Sequence, residues 1–376
     1  MTEQRREHET RLAPGPVPGA APCPSSLRSR FGGVGQVAGL NWDSIPGIHR
    51  FSHQAMATTF EIIIQHDNAR YAEQAAGQAF DELDRLEGEL SRFIENSDIS
   101  RINNLPAGQP LLIGLPAFEC LKLSARLYAE TNGAFDVTIG SLLKCWLNKD
   151  RTLRNPSEGE LNLARQRTGM NLIKLNEAHY TVELPASPVQ VDLGGIGKGY
   201  ALDVMAELLR DWSIETAVLH GGFSTVLAMD APAGTKGWPL TLSNPLDRSQ
   251  TLAFLHLQNR AVSGSGVQKG QHIIDPRTAR LAEGKRAAWS CVPHQLPGGD
   301  NAGVGAGSEY HRGHNWCGAT ADILSTAFIV MSPQEIEQYC VRHPEVLAMV
   351  ILKGQKEGQK DRILHFGQWP AFGGKS

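Results

Sequence analysis

The sequence predicts an α+β fold with mixed, largely antiparallel sheets and long packed helices, on three observations. Apolar residues recur at helical spacing over long stretches, as in Ala72, Ala76, Phe80, Leu83, Leu86 and Leu90. Short β-rich runs follow one another between 215 and 262, separated by Gly and Pro, which is the pattern of hairpins. Strands and helices do not alternate one by one, as a doubly wound parallel sheet requires.

Residues 1–48 are charged, then rich in Pro, Gly and Ala, and read as a disordered leader ahead of a folded domain over 49–376. Ile48 to His66 reads as a strand pair around Met56-Ala57-Thr58-Thr59, and 69–93 as an amphipathic helix whose Glu73, Asp81, Glu82, Arg85 and Glu89 face solvent. Ser97 to Asn103 reads as a loop. A helix follows over Pro116 to Thr131, stopped by Asn132-Gly133. Asn155-Pro156 opens another helix toward Gly169, and Ile173 to Leu184 reads as paired strands. A glycine-rich junction at 191–199 leads into a helix with Ala201, Met205, Leu208 and Trp212 on one face. Strands are expected at 215–229, 238–243, 252–257 and 261–262, and before the Asp275-Pro276 turn. The stretch 297–318, rich in Gly, Asn and His, reads as a mobile insertion. Helices over 319–331 and from Ser332-Pro333 to Val341 precede a strand near 346–352. No internal repeat is present.

The chain has 376 residues, 41% of them hydrophobic and 20% charged, enough for a substantial core. A net charge of -3 gives no diffuse basic field, which argues against nucleic-acid binding. Six cysteines at 23, 120, 145, 291, 317 and 340 include no C-x-x-C pair. That argues against structural zinc or a disulfide scaffold and favours a reducing compartment. No apolar run suits a signal peptide or a membrane span, so the sequence alone points to the cytoplasm.

The run Val191-Asp192-Leu193-Gly194-Gly195-Ile196-Gly197-Lys198-Gly199-Tyr200-Ala201-Leu202-Asp203 carries the most chemistry. Glycines at a strand-to-helix junction let backbone N–H groups approach an anion such as phosphate, or equally serve only close packing. Neither a P-loop nor a dinucleotide fingerprint fits, because Asp192 and Tyr200 stand where those motifs need Gly. Asp322 and Thr326 lie four apart on a helix, so a carboxylate and a hydroxyl share one face, a pair suited to Mg²⁺. The plainer alternative is a helix cap with a threonine facing its preceding turn. His272 sits on a strand, where a structural histidine is the ordinary case. Ser263-Gly264-Ser265-Gly266 offers hydroxyls but is not a nucleophile elbow. Phe135 and Asp136 could place a ring and a carboxylate beside a ligand, or Phe135 could be core.

Taken in order, Met56-Ala57-Thr58, Ser97 to Asn103, Gly133-Ala134-Phe135-Asp136, Asp192 to Tyr200, His272-Ile273-Ile274-Asp275-Pro276 and Ala321-Asp322 with Thr326 resemble the FAD:protein FMN transferase (ApbE) family over roughly 50 to 352. The resemblance implies a flavin-transferase architecture related to the T-fold, FAD as donor substrate and Mg²⁺ as metal. It also implies transfer of FMN to a threonine hydroxyl of an acceptor protein with release of AMP. Met56, Ala134, Phe135, Asp136, Asp192, Lys198 and Ile273 then match positions lining the FAD site. The backbone carbonyl of Gly195 with Asp322 and Thr326 would bind the metal, and His272 would be the base, a role suited to a side chain that titrates near neutrality.

The chain departs from the family at Phe223, where an acidic or amide residue is usual, and in a shorter segment before His272 with Gln271 for a second histidine. Family members are usually exported. With water in place of threonine the same residues would make an FAD pyrophosphatase giving FMN and AMP, and the departures would also suit a silent FAD-binding protein. Cys317-Gly318-Ala319-Thr320 faintly resembles the acceptor motif itself, with Thr320 as the acceptor.

Overall fold

Two antiparallel strands, β1 (Ile48–Ala55) and β2 (Thr58–Gln65), open the fold of the computed structural model, which describes residues 45–185, 188–247, 249–267, 273–294, 316–354 and 359–369. Nearly all of the 1–48 leader, His272, Gln271 and 295–315 lie outside the described residues. Asn68 caps the helix α1 (Ala69–Leu90), its side chain accepting from Tyr71 N–H, and the apolar stripe Ala72, Ala76, Leu83, Leu86 and Leu90 is buried as its spacing predicts. Ser97 likewise caps α2 (Asp98–Asn103), a short helix where the sequence reads as a loop. Its buried Ile99 and Ile102 supply a tertiary anchor that six residues of local propensity do not reveal.

After β3 (Pro110–Leu112), α3 (Leu115–Glu130) ends where Asn132 and Gly133 both take positive φ. Then come α4 (Gly140–Trp146) and α5 (Glu158–Arg165), the second opened by a Ser157–Glu160 capping box and shorter than its pattern suggests. The strands β4 (Lys174–Asn176) and β5 (Thr181–Glu183) pair, with β3 on the other side of β5.

The second half runs α6 (Gly197–Asp211), β6 (Ala217–Gly221), β7 (Thr225–Ala228), β8 (Trp238–Ser243), β9 (Thr251–Leu257), β10 (Arg260–Gly266), β11 (Ile274–Asp275), β12 (Arg280–Leu281) and β13 (Lys285–Pro293). It continues with α7 (Cys317–Val330), α8 (Pro333–Arg342), β14 (Leu347–Leu352) and β15 (Arg362–Phe366). Cys317 and Gly318 therefore belong to a helix rather than to the expected insertion. Among the described residues no helix is long and apolar enough to cross a membrane.

Eight strands form one sheet in the order β1-β2-β6-β7-β10-β13-β14-β15, every neighbouring pair antiparallel. Side chains alternate between its faces. Ile62, Ile64, Leu219, Leu227, Ala261 and Val350 join the helices in the main core. Ile63, Val218, Val226, Val262, Trp289 and Met349 pack instead with Trp238, Leu240 and Leu255 of the β8–β9 hairpin. The α+β fold with antiparallel sheets stands as predicted. β13 escapes the sequence pattern because it is covered on both faces, so Ala287 to Val292 are all buried and show no alternation.

Candidate active site

The site is built where α6 crosses α7. A methyl group on Gly199 would lie 2.1 Å from the Gly318 carbonyl oxygen, so only glycine permits this approach. The helices cap each other. Asp203 of α6 accepts from Gly318 N–H and Ala319 N–H, both at 2.8 Å, at the start of α7. Asp322 of α7 accepts through Oδ2 from Gly199 N–H at 2.9 Å, in the first turn of α6. Each carboxylate thus meets the positive end of the other helix. Burial pushes Asp203 up to about 8, against the pull of its two N–H bonds.

Sheet register brings hydroxyls to Asp322. Gly221 pairs with Thr225, Thr225 with Ser263 and Ser263 with Ser290, forming one row across four strands. Asp322, only 3% exposed, receives the Thr225 hydroxyl at 2.5 Å and the Ser263 hydroxyl at 2.6 Å, both on Oδ1. Ser290 donates to Ala321 O in the same helix. Two residues along β10, Ser265 Oγ lies 3.2 Å from Thr326 Oγ1 and 2.8 Å from Ser325 Oγ. The match is geometric: two residues of strand rise about 6.7 Å and four of helix about 6.0 Å.

The glycine turn reaches this helix pair from the other side. Asn103, at the end of α2, holds the backbone of Val191 with both amide atoms, and Asp192 N–H donates to Val137 O at 2.7 Å. That pairing lays the 134–138 segment against the turn. A methyl group on Gly195 would stand 3.0 Å from Phe135 Cε2 and 3.4 Å from Thr326 Oγ1, so the absent side chain leaves a cradle between them. Lys198 Nζ lies 3.5 Å from both Asp322 Oδ2 and Gly194 O. Asp192 accepts Gly194 N–H on Oδ1 and pairs through Oδ2 with Arg92 Nε at 2.7 Å.

Asp136 is buried, takes both the N–H and the hydroxyl of Thr138 on Oδ1, and is pushed up to about 6 by that burial. Ala134 and Phe135 are buried beside it. Met56 and Ala57 form the β1–β2 turn, both with positive φ, and Met56 N–H donates to Glu87 Oε2 at 2.8 Å. Ile273 packs in the main core, which also holds Leu193 and Ile196 of the glycine turn, its carbonyl accepting from Ala282 N–H. Phe223 is 40% exposed on the β6–β7 turn. Thr320 is 3% exposed within α7 and its hydroxyl has no partner among the described residues.

Asp322, Thr326 and Gly195 therefore converge with Lys198, whereas Thr225 and Arg92 join the site without any local sequence signal. The Asp322 carboxylate, the Thr326 hydroxyl and the Gly195 backbone carbonyl are all hard oxygen donors, a set whose chemistry fits Mg²⁺. Among the described residues no group of three or more His, Cys, Asp or Glu could hold a metal.

A model of the ApbE family matches residues 56–298. The FAD:protein FMN transferase of Buchnera aphidicola is 27% identical over 211 residues, spanning 52% of this chain and 61% of that protein. The enzyme of the same name in Salmonella typhimurium is 24% identical over 253 residues, 63% of this chain and 72% of that one. Among solved structures, the apo form of the Pseudomonas stutzeri flavinyl transferase ApbE superposes with a TM-score of 0.69 at 23% identity, over 85% of this chain and 94% of its own. The ApbE protein of Thermotoga maritima gives 0.68 at 23% identity, over 84% and 96%. These structures share the fold. With its matched stretch covering 65% of its length, the chain belongs to the ApbE family.

Proposed function

We propose that this protein transfers FMN from FAD to a threonine hydroxyl of an acceptor protein, releasing AMP, with Mg²⁺ as the metal. The observation that carries this reading is the α6–α7 crossing, which gathers a glycine turn, Lys198, Asp322 and Thr326 around one cradle. The names borne by the relatives support it.

The threonine oxygen attacks the FMN phosphorus, a new O–P bond forms, and the anhydride bond breaks so that its bridging oxygen leaves with AMP. His272 takes the hydroxyl proton, an assignment resting on the family resemblance. Lys198 meets the charge that develops on the pyrophosphate. Asp322, Thr326 and the Gly195 carbonyl would hold the metal, which when bound would neutralise phosphate charge. Met56, Ala134, Phe135, Asp136, Asp192 and Ile273 line the flavin nucleotide site.

Mass spectrometry of an acceptor protein incubated with enzyme, FAD and Mg²⁺, with AMP and FMN quantified alongside, tests the reading. An FMN-sized mass gain on a threonine with equimolar AMP is expected. Free FMN and AMP without an adduct would make it a hydrolase, and unchanged bound FAD a silent binder. Asp322→Ala should lower Mg²⁺-dependent turnover at least about a hundredfold, and His272→Ala should slow transfer while leaving FAD affinity near that of the wild type.

A further inference from the structure

We infer that the hydroxyls of Thr225, Ser263 and Ser265 dictate how Asp322 and Thr326 meet the cation, with Oδ2 alone of the Asp322 carboxylate turned to the metal. The inference rests on the metal site proposed above. A carboxylate oxygen has two lone pairs, and both on Oδ1 are taken, by Thr225 at 2.5 Å and Ser263 at 2.6 Å. Oδ2 accepts one N–H bond, from Gly199, and keeps a second lone pair on the side of Lys198. Coordination is therefore through one oxygen, which suits the compact octahedron of Mg²⁺.

Thr326 poses the complementary problem. A hydroxyl that gives a lone pair to a cation must send its proton elsewhere, and Ser265 Oγ is 3.2 Å away. The Ser265 proton then goes to Ser325 Oγ at 2.8 Å, and the Ser325 proton to the Asp322 carbonyl at 3.0 Å. The Asp322 carbonyl only accepts, and Ser263 Oγ, 3.4 Å from Ser325 Oγ, spends its own proton on Asp322, so the Ser325 proton has two acceptors on that side and Ser325 keeps a lone pair for Ser265. With the Ser265 acceptor removed, Thr326 would point its proton into the cradle or into its own helix turn. Two strands thus orient both side-chain ligands, and Thr225, Ser263 and Ser265 are positioning residues.

The test is Mn²⁺ titration of the full chain, read by loss of the free-ion EPR signal with and without FAD, together with melting in EDTA. Ser263→Ala and Ser265→Ala should each weaken Mn²⁺ binding about tenfold or more with melting in EDTA near that of the wild type, and Ser265→Thr should restore affinity. Wild-type Mn²⁺ affinity in both alanine variants, alongside loss of binding in Asp322→Ala, would overturn the inference and leave the metal site standing. Lower melting with unchanged affinity would overturn it too, by reducing the hydroxyls to ordinary packing. Undiminished binding in Asp322→Ala would refute the metal site itself. Should Ser263→Ala fail to fold, the less buried Ser265→Ala decides the matter alone.

Discussion

At the residue scale, the Asp203 carboxyl is buried at the start of α7 and pushed up to about 8, chiefly by desolvation. Its native pKa lies above the ordinary value near 4, so the folded chain binds this proton more readily than the unfolded one. Stability from this group is then full below about pH 4 and declines as the pH climbs toward about 8. Asn at this position keeps one acceptor and never ionises. The melting temperature of the wild type relative to Asp203→Asn should therefore fall steadily between about pH 5 and 8, and a flat difference would contradict the assignment. Single residues supplied the candidates, Asp322 and Thr326 through helical spacing and Asp192 and Lys198 through the glycine run, while spacing alone left a helix cap and close packing open and the metal and flavin roles came from the family resemblance. Thr225 was not legible, because its bond to Asp322 spans 97 positions and exists only through sheet register. Arg92 meets Asp192 only in the fold, and Thr320 resembled an acceptor while its burial depended on packing.

Among elements, the α6–α7 crossing is the most sensitive. Gly199→Ala puts a methyl group against the Gly318 carbonyl, so the helices must part. The expected cost is about 1–3 kcal/mol in urea denaturation. Metal-dependent turnover should drop about a hundredfold as Asp322 shifts; equal activity with equal stability would show that the crossing tolerates a side chain. The β1–β2 turn makes the opposite case. Ala57 holds a φ of 58°, a conformation glycine adopts without penalty, so Ala57→Gly should stabilise the fold by up to about 1 kcal/mol. The long amphipathic helix α1 was readable because one face of it is wet, and β9 because its exposed residues alternate with buried ones; β6, β7, β8 and β10 are buried on both faces and were readable as short β-rich runs between Gly and Pro. α4 was missed because seven residues carry little periodicity, and β13 because burial on both faces erases alternation.

For the whole molecule, FAD and Mg²⁺ would bind a surface shared by the sheet, the glycine turn and both crossing helices. Ligands that bind only the native state raise its stability by mass action, about 2.7 kcal/mol at a hundred times the dissociation constant. FAD with Mg²⁺ should raise the melting temperature more than either alone, EDTA should abolish the difference, and Asp322→Ala should show none of the metal's share. The mutual capping of α6 and α7 also has a consequence in time. The bond from Gly199 to Asp322 spans 123 positions, so at about 5–20 residues per second the ribosome takes on the order of ten seconds to deliver the partner. Throughout that interval the emerging α6 keeps a naked N-terminus and an unanswered Asp203. A nascent chain arrested short of residue 322 thus holds the glycine turn without the carboxylate that completes it.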